Sequence, residues 1–333
     1  MTRALSAALL AFSSAASAFE LAAWSTKVQG PKVSGHAAAV DASSGRVYAF
    51  GGLLDGAGSP VTEGLWSYDE GGGWKEEETP NGVRPNKRMY AAGAVLQDHL
   101  HLFGGWDPED AGTGGTFKDD WWALDLKSRE WKELGALPCG PVSRHTACTV
   151  GDQIVVQTFR STVVCDGGKV YEQPTTGEAP LGFSMSAAAA LGEHEMLVFG
   201  GSTKAQGMTA DVYVLDTRTW HWRKLKPASG ETPTPRGSAC AASVDASTCV
   251  VYGGAGLGGG GYAGGMGLTP FDETWTVKVD GDEAVWTKLP LDDAPQARVA
   301  ASLSPLPSGG FVMHGGWTPT TKETFDTSTV LKL

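Results

Sequence analysis

Long hydrophobic runs are missing from this sequence. Nowhere do about eighteen apolar residues follow one another, so no segment reads as a membrane-spanning helix. Helical periodicity is missing as well. Past residue 20 no stretch holds an i, i+3, i+4 apolar rhythm for three turns, which excludes a helical bundle. Charged residues are scarce at 19 %. Their net balance of −11 argues against nucleic acid as a partner, because phosphate binding needs clustered Lys and Arg. The five cysteines are an odd number and do not suggest a disulfide framework.

What is abundant points the other way. With 46 glycines and 12 tryptophans, the composition suits an all-β protein with many tight turns. The first eighteen residues stand apart: Arg3, a short apolar stretch over 4–12, then Ala16-Ser17-Ala18. That order predicts a secretory signal peptide cut before Phe19, and so a secretory or extracellular protein. Two alternatives are an uncleaved tail on a cytoplasmic protein and, from Ala-Ser-Ala-Phe, a two-part plastid targeting signal.

Repetition organises the remainder. A glycine pair follows an apolar strand at Gly51-Gly52, Gly104-Gly105, Gly200-Gly201, Gly253-Gly254 and Gly315-Gly316. Gly51 to Gly104 and Gly200 to Gly253 are both steps of 53 residues. One further step from Gly104 reaches Gln157-Thr158, where the strand Ile154-Val155-Val156 is kept but the glycines are lost. An acid, an aromatic and a later Trp accompany each copy. Asp120-x-Trp122 leads to Trp131, Asp211-x-Tyr213 to Trp222, Glu273-x-Trp275 to Trp286, and Trp66-x-x-Asp69 to Trp74. In the degenerate copy Asp166 leads to Tyr171.

This order resembles the kelch motif, and the resemblance covers residues 19–333. It implies a single all-β domain: a six-bladed kelch β-propeller of four-stranded antiparallel blades, centred near Gly51, Gly104, Gln157, Gly200, Gly253 and Gly315. It is similar to stand-alone propellers of the Rab-effector and plant specifier kind, within the wider galactose oxidase-like group. In such proteins the glycines end the second strand, where a bulky side chain would obstruct packing, and the aromatics fill the space between blades. The last copy stops at Thr329-Val330-Leu331-Lys332-Leu333 without its Trp strand, while Glu20 to Lys27 supplies one, with Trp24. The N-terminal strand is therefore expected to close the sixth blade and remove an open edge.

A third element precedes the first strands: Pro85-x-x-Arg88, Pro141-x-x-Arg144, Pro233-x-x-Arg236 and Pro295-x-x-Arg298, with Gly35 and Phe183 in the other two blades. Four residues on stand Ala39, Ala92, Cys148, Ala187, Cys240 and Ser302, all small enough for the crowded innermost strands. The arginines could stitch loops together, or form a positive ring at the channel mouth that grips carboxylates. Trp106 and Trp317 follow their glycine pairs in equal register and are expected either as interface anchors or as packing between blades. The glycine-rich run over 255–268, with Tyr262 and Met266, is a further variable loop.

Catalytic chemistry finds little support. The iron-binding Glu-x-x-x-Asp-x-x-x-His of plant specifier proteins has no counterpart, and the two His, two Tyr and Cys of copper radical oxidases are not evident. His99 and His101 lie two apart but on an ordinary second strand, and His145 beside Arg144 has no nucleophile partner. The expectation is a noncatalytic, monomeric scaffold without metal or cofactor. It binds a protein or acidic peptide through Arg88, Arg144, Arg236, Arg298, Phe183, Trp106 and Trp317. The alternatives are a metal-dependent specifier-like or copper-radical enzyme and a carbohydrate-binding propeller.

Overall fold

A computed structural model of the protein describes residues 22–55, 60–80, 82–110, 114–257, 267–291 and 293–333, and these contain strands and turns but no helix. The expected signal segment, with Tyr262 and Met266, lies outside the described residues.

Six four-stranded antiparallel meanders follow one another. In blade 1 the strands are Ala37–Asp41, Arg46–Phe50, Leu65–Asp69 and Gly73–Glu76. Blades 2 to 6 repeat this from innermost strands Ala92–Leu96, Thr146–Val150, Ala187–Leu191, Cys240–Ser243 and Ser302–Pro305. Blades 1, 2, 3 and 6 are separate sheets. Blades 4 and 5 merge at their outer edges through a short parallel contact, Lys226 with Glu283 and Pro227 with Ala284. The innermost strands touch in order from blade 1 to blade 6, and that of blade 6 touches that of blade 1, so the ring is closed.

The sequence pattern follows from position in the blade. Innermost strands alternate, as in Ala37, Ala39 and Asp41, whose side chains are buried while Ala38 and Val40 are half-buried. Second strands are covered on both faces by neighbouring blades and read as continuous apolar runs such as Val47-Tyr48-Ala49-Phe50. The outer tryptophans reach back to the preceding blade. Trp131 meets Phe50 edge-on at 5.4 Å, Trp286 meets Phe199 at 4.9 Å, and Trp24 meets Tyr252 at 5.1 Å. Trp74 lies 4.2 Å from His314, and Trp222 donates from Nε1 to Thr162 Oγ1 at 3.3 Å. Tyr171 of blade 3 does not join them and is 37 % exposed.

The closing strand is Ala23–Gln29 rather than the Glu20 to Lys27 stretch expected from the sequence. It pairs with Thr327–Lys332, Trp24 opposite Leu331 and Val28 opposite Ser328, with a bulge after Ser25. Trp24 anchors it by donating from Nε1 to Thr274 Oγ1 of blade 5 at 3.1 Å.

The glycine pairs are required twice over. Both members hold positive φ in all five pairs, as at Gly51 (69°) and Gly52 (107°). A Cβ on the first would strike a carbonyl of the next blade: Arg88 at 2.5 Å from Gly51, Val142 at 2.7 Å from Gly104, Val33 at 2.3 Å from Gly315. The second glycine's amide donates to that same carbonyl, at 2.8 Å from both Gly52 and Gly105 and at 2.9 Å from Gly316.

Blade 3 departs from this scheme one residue later than the sequence spacing suggested. Thr146 pairs with Gln157 as Ala92 pairs with Phe103, so Gln157 replaces the strand's final aromatic, and Thr158-Phe159 replace the glycines. Gln157 is fully engaged, donating to the Thr158 carbonyl at 2.8 Å and accepting from Thr162 Oγ1 at 2.7 Å. The Thr158 amide turns back to the Ser161 carbonyl (3.0 Å). The contact to blade 4 runs in reverse, from the Gly182 amide to the Phe159 carbonyl at 2.7 Å.

Candidate functional site: the channel mouth

Two residues before each innermost strand the chain takes the left-handed conformation. The six residues are Gly35, Tyr90, Arg144, Met185, Ser238 and Ala300, with φ between 55° and 62° except for Tyr90 at 53°. Each amide donates to the carbonyl of its counterpart in the preceding blade: Tyr90 to Gly35, Arg144 to Tyr90, Met185 to Arg144, Ser238 to Met185, Ala300 to Ser238, and Gly35 to Ala300, at 2.6–3.0 Å. The result is a closed circle of six backbone hydrogen bonds around the axis. These residues and their immediate successors line a cavity of about 130 Å³ at the mouth.

That register corrects the arginine series. Arg88, Arg236 and Arg298 stand four residues before their strands and share one geometry. Nε donates to the carbonyl two residues back, of Asn86 (2.8 Å), Thr234 (2.9 Å) and Gln296 (3.0 Å). Nη1 donates to the carbonyl of the blade's own first glycine, Gly104 (2.9 Å), Gly253 (3.1 Å) and Gly315 (3.0 Å). Arg88 also holds Asp120 bidentately at 2.5 and 2.8 Å, and Arg236 holds Glu273 at 2.7 Å. Phe271 lies under the Arg236 guanidinium at 4.1 Å and Phe325 under that of Arg298 at 3.9 Å. At 1, 1 and 4 % exposure the three are internal staples, and the ligand-contact role expected for them is not what the structure shows. Burial alone would raise the Glu273 carboxyl, but the hydrogen bonds from Arg236, Lys288 and Trp275 hold it down at about 2.

Arg144 is not a member of the series, despite its Pro141-x-x-Arg144 spelling. The position equivalent to Arg88 is Val142, whose carbonyl receives the Gly105 amide, and in blade 1 it is Val33 rather than Gly35. The residues that open the innermost strands are accordingly Ala37 and Thr146, with Ala39 and Cys148 two places further on. Arg144 stands on the left-handed circle itself. Its guanidinium lies 4.7 Å from the Tyr90 ring centroid and 5.1 Å from that of Trp106, and donates to Ser143 Oγ at 3.3 Å. Among the described residues no carboxylate lies within ion-pair distance of it.

The other expected contact residues divide. Trp106 is half-buried, stacks on Phe117 at 6.0 Å and thereby adjoins Arg144, while Phe117 itself is 47 % exposed. Phe183 lines a second, smaller cavity that Arg144 also lines. Trp317 bridges Val299 and Thr324 in its own blade and lines neither cavity. Side chains that sequence reasoning did not connect with the mouth are Tyr90, Met185, Ser186, Ser238 and Ala300. Nothing in their types signals a left-handed backbone; only the distance to the next strand does.

His36 and His145 line the mouth cavity, and His314 packs between His36 and Trp74 behind it; burial lowers His36 and His145 to about 4 and His314 well below its usual value, which favours the neutral imidazole in all three. His36 shares a hydrogen bond with Ser302 Oγ (2.9 Å) and His314 with Ser328 Oγ (2.8 Å). His101, paired with His99 in the sequence, instead accepts from Trp121 Nε1 at 3.0 Å within an aromatic stack. All five cysteines are free; Cys240 faces Tyr252 and Cys249 faces Ser243, so the two are not opposed.

The family described as the KLHDC2/KLHL20/DRC7 Kelch-repeats domain matches residues 6–172 and 162–333. The chain belongs to the kelch-repeat family. Kelch domain-containing protein 2 of Bos taurus is 26 % identical over 77 % of this chain and 55 % of its own length. Acyl-CoA-binding domain-containing protein 4 of Arabidopsis thaliana is 24 % identical over 73 % of this chain and 37 % of its own length. Dynein regulatory complex subunit 7 of Chlamydomonas reinhardtii is 29 % identical over 45 % of this chain and 13 % of its own length. The chain thus spans less than two fifths of the plant acyl-CoA-binding relative. The solved structure titled "Structure of YjhT" superposes with a TM-score of 0.69 at 17 % identity, covering 92 % of this chain and 96 % of its own, which fixes the fold. Among the described residues no helix is long and apolar enough to cross a membrane.

Proposed function

We propose that this kelch propeller is a noncatalytic interaction module that receives an acidic segment of a protein partner at the channel mouth, on Arg144. The observation that carries this reading is the strained circle. A left-handed non-glycine residue costs about 1 kcal/mol or more. Gly35 avoids that penalty in blade 1, yet the other five blades place Tyr90, Arg144, Met185, Ser238 and Ala300 there. Side chains retained at strained positions around one opening favour a recognition role over a packing one. Arg144 supplies a guanidinium without an acid partner, Tyr90 and Trp106 hold it in place, and Trp106 and Phe183 supply apolar contact beside it.

A displayed library of capped random peptides tests this. Wild type is expected to enrich Asp- and Glu-containing peptides, and Arg144→Gln, melting at the same temperature, is expected to lose that enrichment. Equal enrichment by both proteins sinks the proposal.

A further inference from the structure

The ring closes along a seam whose two sides come from opposite ends of the chain. Blade 1 there meets the last three strands, Ser302–Pro305, Phe311–His314 and Thr327–Lys332. Two buried histidines sit in the contact, His36 of blade 1 and His314 of blade 6, with ring centroids 5.5 Å apart. Each belongs to a hydrogen bond that holds the seam. His36 Nε2 meets Ser302 Oγ at 2.9 Å. His314 Nδ1 meets Ser328 Oγ at 2.8 Å, and Trp74 of blade 1 donates to that same oxygen at 2.7 Å while packing on His314. Two backbone bonds cross beside them, from the Gly35 amide to Ala300 and from the Gly316 amide to Val33.

Neither ring can take a second proton without loss. His36 Nδ1 is buried without a hydrogen-bond partner, so a proton there has no acceptor. With Trp74 donating to Ser328 Oγ, that hydroxyl can give its own proton to His314 Nδ1, and a protonated Nδ1 loses this bond. The Pro31 backbone is the other polar neighbour of His314. The permanent charge acting on His314 is Arg298, a cation attended by Glu323. Tyr68 packs against Trp74, and Tyr90 and His145 line the mouth cavity with His36. Glu70 receives Ser308 only at the exposed rim. Among the described residues no carboxylate lies within ion-pair distance of either ring. Two imidazolium charges so placed would repel each other and Arg298.

We propose that the seam is an acid-operated latch: protonation of His36 and His314 parts blade 1 from the last three strands while the other five junctions hold. Blade 1 carries Ala23–Gln29 with it, so no covalent link crosses this seam, whereas the chain itself spans every other junction. His101 and His145 are buried too, but at the junction of blades 2 and 3, which the chain spans. Parting the seam breaks the bond from Gly35 to Ala300, so the circle at the mouth opens with it. The sign follows from burial. Both histidines are held neutral in the closed seam and regain their ordinary proton affinity once exposed, so closure is favoured fully above pH 6.5 and less as pH falls towards 4. For His36 alone, moved from 6.5 to about 4, going from pH 7 to pH 5 favours the open form about twentyfold.

Hydrogen-exchange mass spectrometry of the full chain at pH 7 and pH 5, corrected for intrinsic exchange, reads each junction separately. Exchange in Ala23–Gln29, Phe311–His314 and Thr327–Lys332 is expected to rise at least about tenfold at pH 5, with Gln153–Gln157 and Glu195–Phe199 unchanged. His36→Gln retains a group able to bond Ser302 and should cut that rise at least about threefold. His36→Gln combined with His314→Gln should abolish it. Should the double variant melt early at pH 7, the single one decides. A uniform rise across all six blades overturns the proposal, as does a rise that begins between blades 2 and 3. A seam response undiminished in His36→Gln overturns it as well.

Discussion

Between blades 1 and 2 a glycine pair brings two backbones into contact, and the Gly52 amide reaches the Arg88 carbonyl at 2.8 Å. Between blades 3 and 4 the same junction is made by a turn at Thr158 to Ser161 and a reversed bond from Gly182 to Phe159. The first kind of junction is narrow and intolerant of side chains; the second is looser and leaves a recess. What distinguishes them is two Cβ atoms. A propeller can therefore replace the glycine contact at one junction by a turn that carries side chains, provided the innermost circle of hydrogen bonds remains whole.

The largest expected effect concerns the one junction that is not continuous in sequence. Deleting residues 22–29 removes the outer strand of blade 6 and uncovers Thr327–Lys332, and cooperative thermal unfolding should be lost. A truncated protein that still melts sharply would show that closure between blades 6 and 1 is dispensable. Next come substitutions that set the tight junctions against the loose one. Gly315→Ala places a Cβ 2.3 Å from the Val33 carbonyl at a φ of 64° and should destabilise by about 3 kcal/mol in denaturant unfolding. Thr158→Gly in blade 3 removes only local turn bonds and should cost about 1 kcal/mol. Comparable losses from both would erase the distinction.

The arginines sharpen it further. Arg236→Ala leaves the buried Gly253 carbonyl without its donor and Glu273 with only Lys288 and Trp275, and should destabilise by about 3 kcal/mol, whereas Arg144→Ala should stay within about 0.5 kcal/mol. The smallest and most graded effect is acid sensitivity. Burial lowers His36, His101 and His145 from 6.5 to about 4, so the unfolded chain takes up protons first. The stability these groups contribute is complete above pH 6.5 and is lost as pH falls towards 4. Glu273, held at about 2 against an ordinary 4.5, extends the loss below pH 4.5. Unfolding free energy should therefore decline from pH 6.5 downward, and His36→Gln should flatten the upper part of that decline.

Much of this fold is legible in the sequence because its constraints are backbone constraints. Gly51-Gly52 and its four copies mark places where only glycine fits, and Trp24, Trp74, Trp131, Trp222 and Trp286 mark interblade volume that only a large ring fills. The arginine series is less legible. Pro141-x-x-Arg144 repeats the spelling of Pro85-x-x-Arg88, but the loop into blade 3 is two residues shorter between proline and strand. The same letters therefore land on the mouth in one blade and inside the wall in another. The five non-glycine residues of the circle carry no signal of their own, since Tyr, Arg, Met, Ser and Ala have no common chemistry. Their shared property is a dihedral angle.

That circle has a consequence for how such a protein can change. Every amide and carbonyl that closes it belongs to the main chain, so its hydrogen bonds ask of the side chains standing on it only that they tolerate a left-handed backbone. The amides are consumed in the ring, leaving side chains to discriminate among guests. Substitution at six positions can thus rewrite what the opening accepts without disturbing the architecture that presents it, and specificity is free to drift while the fold is held still.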